Sequence, residues 1–182
     1  METSPSIFLR PFDLSDAEDV LKWAGDDDVT RYLRWTSVRT VEEARQHILQ
    51  TAIPHPWRRS ISLLKDGRSI GCVSVRPDNG DGRCRADVGY AVEKEYWGRG
   101  IATAAVRMAV EQAFEVFPDV VRLQAVVEVE NKASQKVLEK VGFDKEGLLK
   151  KYGFCKGGIS DMFLYSFVKE ENGRNRYQVL TE

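Results

Sequence analysis

Residues 86–117 constrain this chain more than any other stretch. Residues 86–92 read as an apolar strand, Gly98 and Gly100 mark a turn, and 101–117 carry the longest helical pattern in the sequence. Val106, Ala109, Val110, Ala113, Phe114 and Phe117 recur at helical spacing, so the helix presents a broad apolar face that a sheet could cover. Pro118 breaks the pattern. A strand that turns directly into a long one-faced helix predicts a layered α/β chain.

The rest of the sequence supplies the sheet and further helices. Residues 7–11 suit a short opening strand, and a helix follows with Ser15 as its cap, Glu18 completing a capping box and Gly25 as its stop. Residues 41–53 form a second helix, capped by Thr40 and ended by Pro54 and Pro56. Strands at 60–64 and 69–75 are joined through Asp66-Gly67, a strong hairpin signal. A long β-rich strand at 121–129 precedes a helix over 132–141, closed by Gly142. Residues 152–154 and 162–168 read as two final strands around a turn at Gly157-Gly158. The predicted organisation is a single domain over 1–168, a mixed sheet with helices packed on it, with a polar, frayed tail over 169–182.

Charge and cysteine usage remove several function classes. Twenty-seven basic and 28 acidic residues leave a formal net charge of -1, so no global field favours nucleic acid or an anionic membrane. No apolar run approaches the roughly 20 residues that span a bilayer. Cys72, Cys84 and Cys155 are too scattered for a disulfide framework or a zinc site, which predicts a cytoplasmic or nucleocytoplasmic protein without a metal. His47 and His55 are the only histidines, read as surface or loop residues, so a His-based triad has little material.

Two segments carry chemistry. At Gly98 and Gly100 the backbone can turn tightly and approach a ligand, and the free amides of the helix that follows, with the positive end of its dipole, suit phosphate oxygens. Arg99 adds a cation. Taken alone, the spacing reads equally as a simple loop, and it matches neither the dinucleotide fingerprint nor a P-loop. In the second segment Asn131 is a natural N-cap, and Ser134, Val137, Leu138 and Val141 share one helix face. Ser134 is then a hydroxyl on a buried stripe, which could also bond a carbonyl one turn back.

Together, Trp97-Gly98-Arg99-Gly100-Ile101-Ala102 and Asn131-x-x-Ser134 followed by Glu139-Lys140-x-Gly142-Phe143 resemble the two signatures of the GNAT superfamily of acetyltransferases, in the right order. Trp97 departs from the polar first position of the first signature. With Val88-Gly89-Tyr90-Ala91-Val92 before it, and Leu9-Arg10-Pro11-Phe12 at the start, the pattern is similar to the Rim-type branch that acetylates ribosomal-protein N-termini. The resemblance implies a central, mostly antiparallel sheet, splayed at the cofactor site, with helices on both faces. It implies acetyl-CoA as co-substrate, gripped at its pyrophosphate by Trp97, Gly98, Arg99, Gly100, Ile101, Ala102 and Thr103 and along its pantetheine by Tyr90, Ala91 and Val92. Asn131 would meet the cofactor, and Ser134 would lie near its sulfur.

The expected reaction is direct attack of an amine on the thioester, with backbone amides near Val92 polarising the carbonyl. Asp87 is the first carboxylate candidate for the proton, with Glu128 and Glu130 behind it; Tyr152 and Tyr165 are alternatives to Ser134. A covalent acyl-cysteine route is disfavoured because no cysteine has a histidine neighbour in sequence. The acceptor, bound by 31–39 and 55–59, is expected to be a protein N-terminus or a small amine, in a monomer or homodimer; a non-catalytic CoA-binding domain is the remaining alternative.

Overall fold

The apolar face of the long helix finds its sheet. In the computed structural model, which describes residues 6–169, helix α4 (Ile101–Val116) buries Ile101, Ala105, Val106, Ala109, Val110 and Ala113. They share one core with Ile61, Val73, Val75, Val88 and Leu123 of the sheet.

The sheet has seven strands. Across it run β1 (Ile7–Arg10), β2 (Arg58–Leu63), β3 (Ser69–Pro77), β4 (Arg85–Val92), β5 (Arg122–Glu128), β7 (Gly158–Val168) and β6 (Asp144–Cys155). Neighbours are antiparallel except β4 and β5, which run parallel. Period-two alternation sends side chains of one strand to opposite faces. Val73 and Val75 thus meet α4, while Cys72 joins the opposite core. That second core is sealed by α1 (Ala17–Ala24), α2 (Asp27–Thr30) and α3 (Val41–His47), and includes Trp23, Ala44 and Ala91. Helix α5 (Lys132–Val141) packs beside α4 through Leu138 and Val141. The mostly antiparallel sheet with helices on both faces is as expected.

Local chemistry moved several boundaries. The first capping box is built two residues early: the Asp13 carboxylate accepts from the Ser15 amide at 2.8 Å and Asp16 from the Asp13 amide at 2.9 Å. Ser15 already lies inside a short 3₁₀ turn, Leu14–Asp16, so it caps nothing, and Arg10 holds Asp16 through both guanidinium nitrogens. The helix α3 runs on as a π-helical turn, Ile48–Ala52, before the prolines. Trp57 is 1% exposed at the entrance to β2, with Arg59 over its ring. The last hairpin is far longer than the sequence suggests, because β6 starts at Asp144 and turns into β7 through Lys156 and Gly157, both at positive φ. The tail over 170–182 lies outside the described residues, and no described helix is long and apolar enough to cross a membrane.

One feature of this sheet makes a site. β4 and β5 pair only at Arg85↔Arg122, Ala86↔Leu123 and Asp87↔Gln124. On its other side β4 stays paired with β3 through Val92, and β5 stays paired with β7 through Glu128. The two strands therefore diverge while each remains anchored.

Candidate active site

The divergence opens a cavity of about 500 Å³. One wall is β4 from Val88 to Val92 with the glycine turn and the first turn of α4. The other is the end of β5 with α5, including Val127, Glu128, Asn131, Ser134 and Val137. Tyr32, Leu33 and Arg34, which follow α2, close one end together with Cys155 and Met162.

The turn is shaped by backbone geometry. Gly98 and Gly100 have φ of +74° and +77°, a region that side chains disfavour, and open space surrounds the place where a Cβ would sit on either. Gly100 is the N-cap of α4 and supplies no side chain to bond the helix's first amides. Those amides face an open cleft with the positive dipole end behind them. Trp97 explains its own departure from a polar residue: its indole nitrogen donates to the Val92 carbonyl at 2.7 Å, which ties the turn back to β4. Arg99 is exposed, stacked over Tyr96 at 5.6 Å, and does not line the cavity. Lys136 and Lys140, one turn apart on α5, do line it.

Helix α5 starts as expected. The Asn131 side chain accepts from the Ser134 amide at 3.1 Å. Buried Gln135 donates to the Glu128 and Val129 carbonyls, which fastens the helix to the end of β5. The Ser134 hydroxyl meets the Tyr90 hydroxyl at 2.7 Å, across the cleft. The tyrosine side chain was invisible as a site residue to local pattern, which marked only its backbone; period-two alternation of Val88, Tyr90 and Val92 was the available signal.

The other candidates separate. Asp87 is exposed below the point of divergence, bonded by the Gln124 amide at 2.9 Å, and does not line the cavity; neither does exposed Glu130. Glu128 does line it: its Oε2 accepts from the Ser160 hydroxyl at 3.2 Å, and its Oε1 is buried without a partner. Tyr152 is exposed, and Tyr165 is fully buried, donating to Glu139 at 3.0 Å; burial and that carboxylate push its hydroxyl up to about 12. Cys155 is a poor nucleophile, because burial and the neighbouring Glu128 push its thiol up to about 11. The histidines are not simply surface residues. Burial, with Arg58 nearby, pushes both down to about 4; His47 packs on Trp35 and His55 accepts from the Trp57 amide. Residues 55–59 do not line the cavity, and no group of side chains among the described residues could hold a metal ion.

A cleft that pairs helix-start amides with a parted strand suits a ligand with a phosphate end and an extended amide-bearing arm. Residues 6–144 match the acetyltransferase (GNAT) domain family. The chain belongs to the GNAT acetyltransferase family. The putative ribosomal N-acetyltransferase YdaF of Bacillus subtilis is 34% identical over 130 residues, covering 67% of this chain and 69% of that protein. The spermidine N(1)-acetyltransferase of Escherichia coli is 27% identical over 157 residues, covering 86% and 83%. The structure of Mycobacterium smegmatis RimJ in complex with CoA-disulfide matches with a TM-score of 0.78 at 28% identity, covering 94% of this chain and 86% of that one. This GNAT protein is an acetyl-CoA-dependent N-acetyltransferase acting on amines.

Proposed function

We propose that this GNAT enzyme acetylates the α-amine of a protein or peptide N-terminus by direct attack in a ternary complex. The observation that carries this reading is the buried, unpartnered Oε1 of Glu128 at the acceptor end of the cleft. Its other carboxylates are few: Asp28 is held by Lys94 at 2.6 Å. One free carboxylate oxygen suits one amine, and Arg34 on the same cavity disfavours a second ammonium there. An α-amine, with pKa about 7.7–8.0, is roughly a tenth neutral near pH 7, whereas a lysine at about 10.4 is below about a thousandth. A modest base is then enough.

In this reading the first turn of α4 and the turn before it hold the pyrophosphate, and the backbone of Tyr90, Ala91 and Val92 holds the pantetheine arm. Bound acetyl-CoA supplies the activated acetyl group. The amine nitrogen bonds to the carbonyl carbon, the carbon–sulfur bond breaks, the nitrogen's proton passes to Glu128 directly or through water, and the sulfur leaves as thiolate beside Ser134. Alignment of amine and thioester contributes much of the acceleration. Glu128, rather than Asp87, takes the proton because it faces the cleft. The free thiols of Cys72, Cys84 and Cys155 suit a reducing compartment, so we place the enzyme in the cytoplasm.

Thiol release from acetyl-CoA with a panel of N-terminal peptides, amino acids and polyamines tests the acceptor. Peptide-dependent turnover well above that with any small amine is expected, and Glu128→Gln should lower it about 100-fold or more. Faster turnover of a polyamine or an amino acid than of every peptide would sink the acceptor assignment.

A further inference from the structure

A departing thiolate needs a donor, and a serine hydroxyl acting alone is a weak one. Tyr90 sits near the end of β4, beyond its last pair with β5, and its hydroxyl reaches Ser134 of α5. Its hydroxyl lies 2.7 Å from Ser134 Oγ and 3.1 Å from the Ser134 carbonyl oxygen. The contact joins residues 44 apart in sequence and ties together the two walls that the sheet has parted.

We propose that Tyr90 is a positioning residue for the transfer step: its hydroxyl donates to Ser134 Oγ, so that the Ser134 proton points into the cleft toward the departing sulfur. The inference rests on the reading of the reaction given above. A hydroxyl has one proton and two lone pairs, so a serine that accepts from Tyr90 keeps its own proton to give. The Ser134 carbonyl lies inside α5, where the helical pattern already brings it an amide from one turn on. The Ser134 hydroxyl oxygen is the nearer acceptor, at 2.7 Å against 3.1 Å for the carbonyl. Burial raises the pKa of the Tyr90 phenol, with Tyr165 adding to it, so Tyr90 stays protonated wherever the enzyme works. The ring packs against the core that holds α4 and α5 and would do so equally in phenylalanine. Only the hydroxyl is particular to tyrosine.

The test is a double-mutant cycle of Tyr90→Phe and Ser134→Ala, read by thiol release at saturating acetyl-CoA and saturating amine. Tyr90→Phe should lower kcat about tenfold, the effect of a hydrogen bond that serves a charged group, with KM for acetyl-CoA changed less than about twofold. In the Ser134→Ala background the same change should cost less than about twofold. The thiol pKa of bound CoA, followed by ultraviolet absorbance of the thiolate, should rise in both single variants. The melting temperature of Tyr90→Phe should stay within a few degrees of wild type. Wild-type turnover by Tyr90→Phe, an equal slowing of wild type and Ser134→Ala, or a loss confined to KM would each overturn the pairing. Failure of the functional reading looks different: wild-type enzyme would bind CoA and release no thiol with any amine.

Discussion

Gly100 shows how much a single backbone conformation decides. It is the last residue before α4, at φ +77° and ψ 2°, and the space beside its Cα is open, so an added methyl group would clash with nothing in the protein. Gly100→Ala therefore separates two costs. The left-handed strain should take about 1 kcal/mol from stability, a shift of a few degrees in melting temperature. On the proposed pyrophosphate grip the larger effect should fall on CoA affinity, read by calorimetry, because the methyl group would crowd the turn against a phosphate. A variant that loses stability but binds CoA as tightly as wild type would show that the turn is only a loop. Ser134 teaches a complementary point. Its place on the apolar stripe was legible, yet its partner was not, since nothing local in either segment announces a bond to Tyr90.

At the scale of elements, legibility followed how far each element's reason for existing is local. The glycine turn, α4 and the N-cap of α5 were readable because propensity, capping and periodicity agree there. Asn131→Ala should accordingly cost about 1 kcal/mol, seen as a shift of about 2–4 °C in thermal denaturation, through loss of the bond to the Ser134 amide. Its turnover should fall further than its stability, because the same bond fixes the start of the helix that carries Ser134. β6 was hidden for the opposite reason. It is an edge strand, most of whose side chains are exposed or half-exposed, with charged and glycine positions along it; pairing with β7, rather than its own pattern, makes it a strand. The run Pro56-Trp57-Arg58-Arg59, expected at the acceptor, lies away from the cavity because tertiary packing takes Trp57 into the core. Of the carboxylates, Glu128 could be told from Asp87 only once the point of strand divergence was known.

Across the whole molecule, two cores on opposite faces of one sheet set the response to acid. His47 and His55 are held near pKa 4, well below the ordinary 6.5, so the fold favours their neutral forms while the unfolded chain binds protons more readily. Stability from this source is complete above about pH 6.5 and is lost as pH falls toward 4. Urea midpoints should drop between pH 7 and pH 5, and His47→Gln should shrink that drop. Glu146 acts in a separate window. Arg122 first, then Ser166, hold its carboxyl down to about 2, so its contribution is present above about pH 4.5 and fades only below it. An unchanged drop in His47→Gln would assign the acid response elsewhere. The brief parallel register of β4 and β5 has a mechanical meaning as well. Four strands on one side and three on the other are riveted at three residue pairs, which makes this seam the natural line of cleavage through the sheet. On the reading proposed above the co-substrate fills this seam and doubles as mortar, so the loaded enzyme should be stiffer than the empty one.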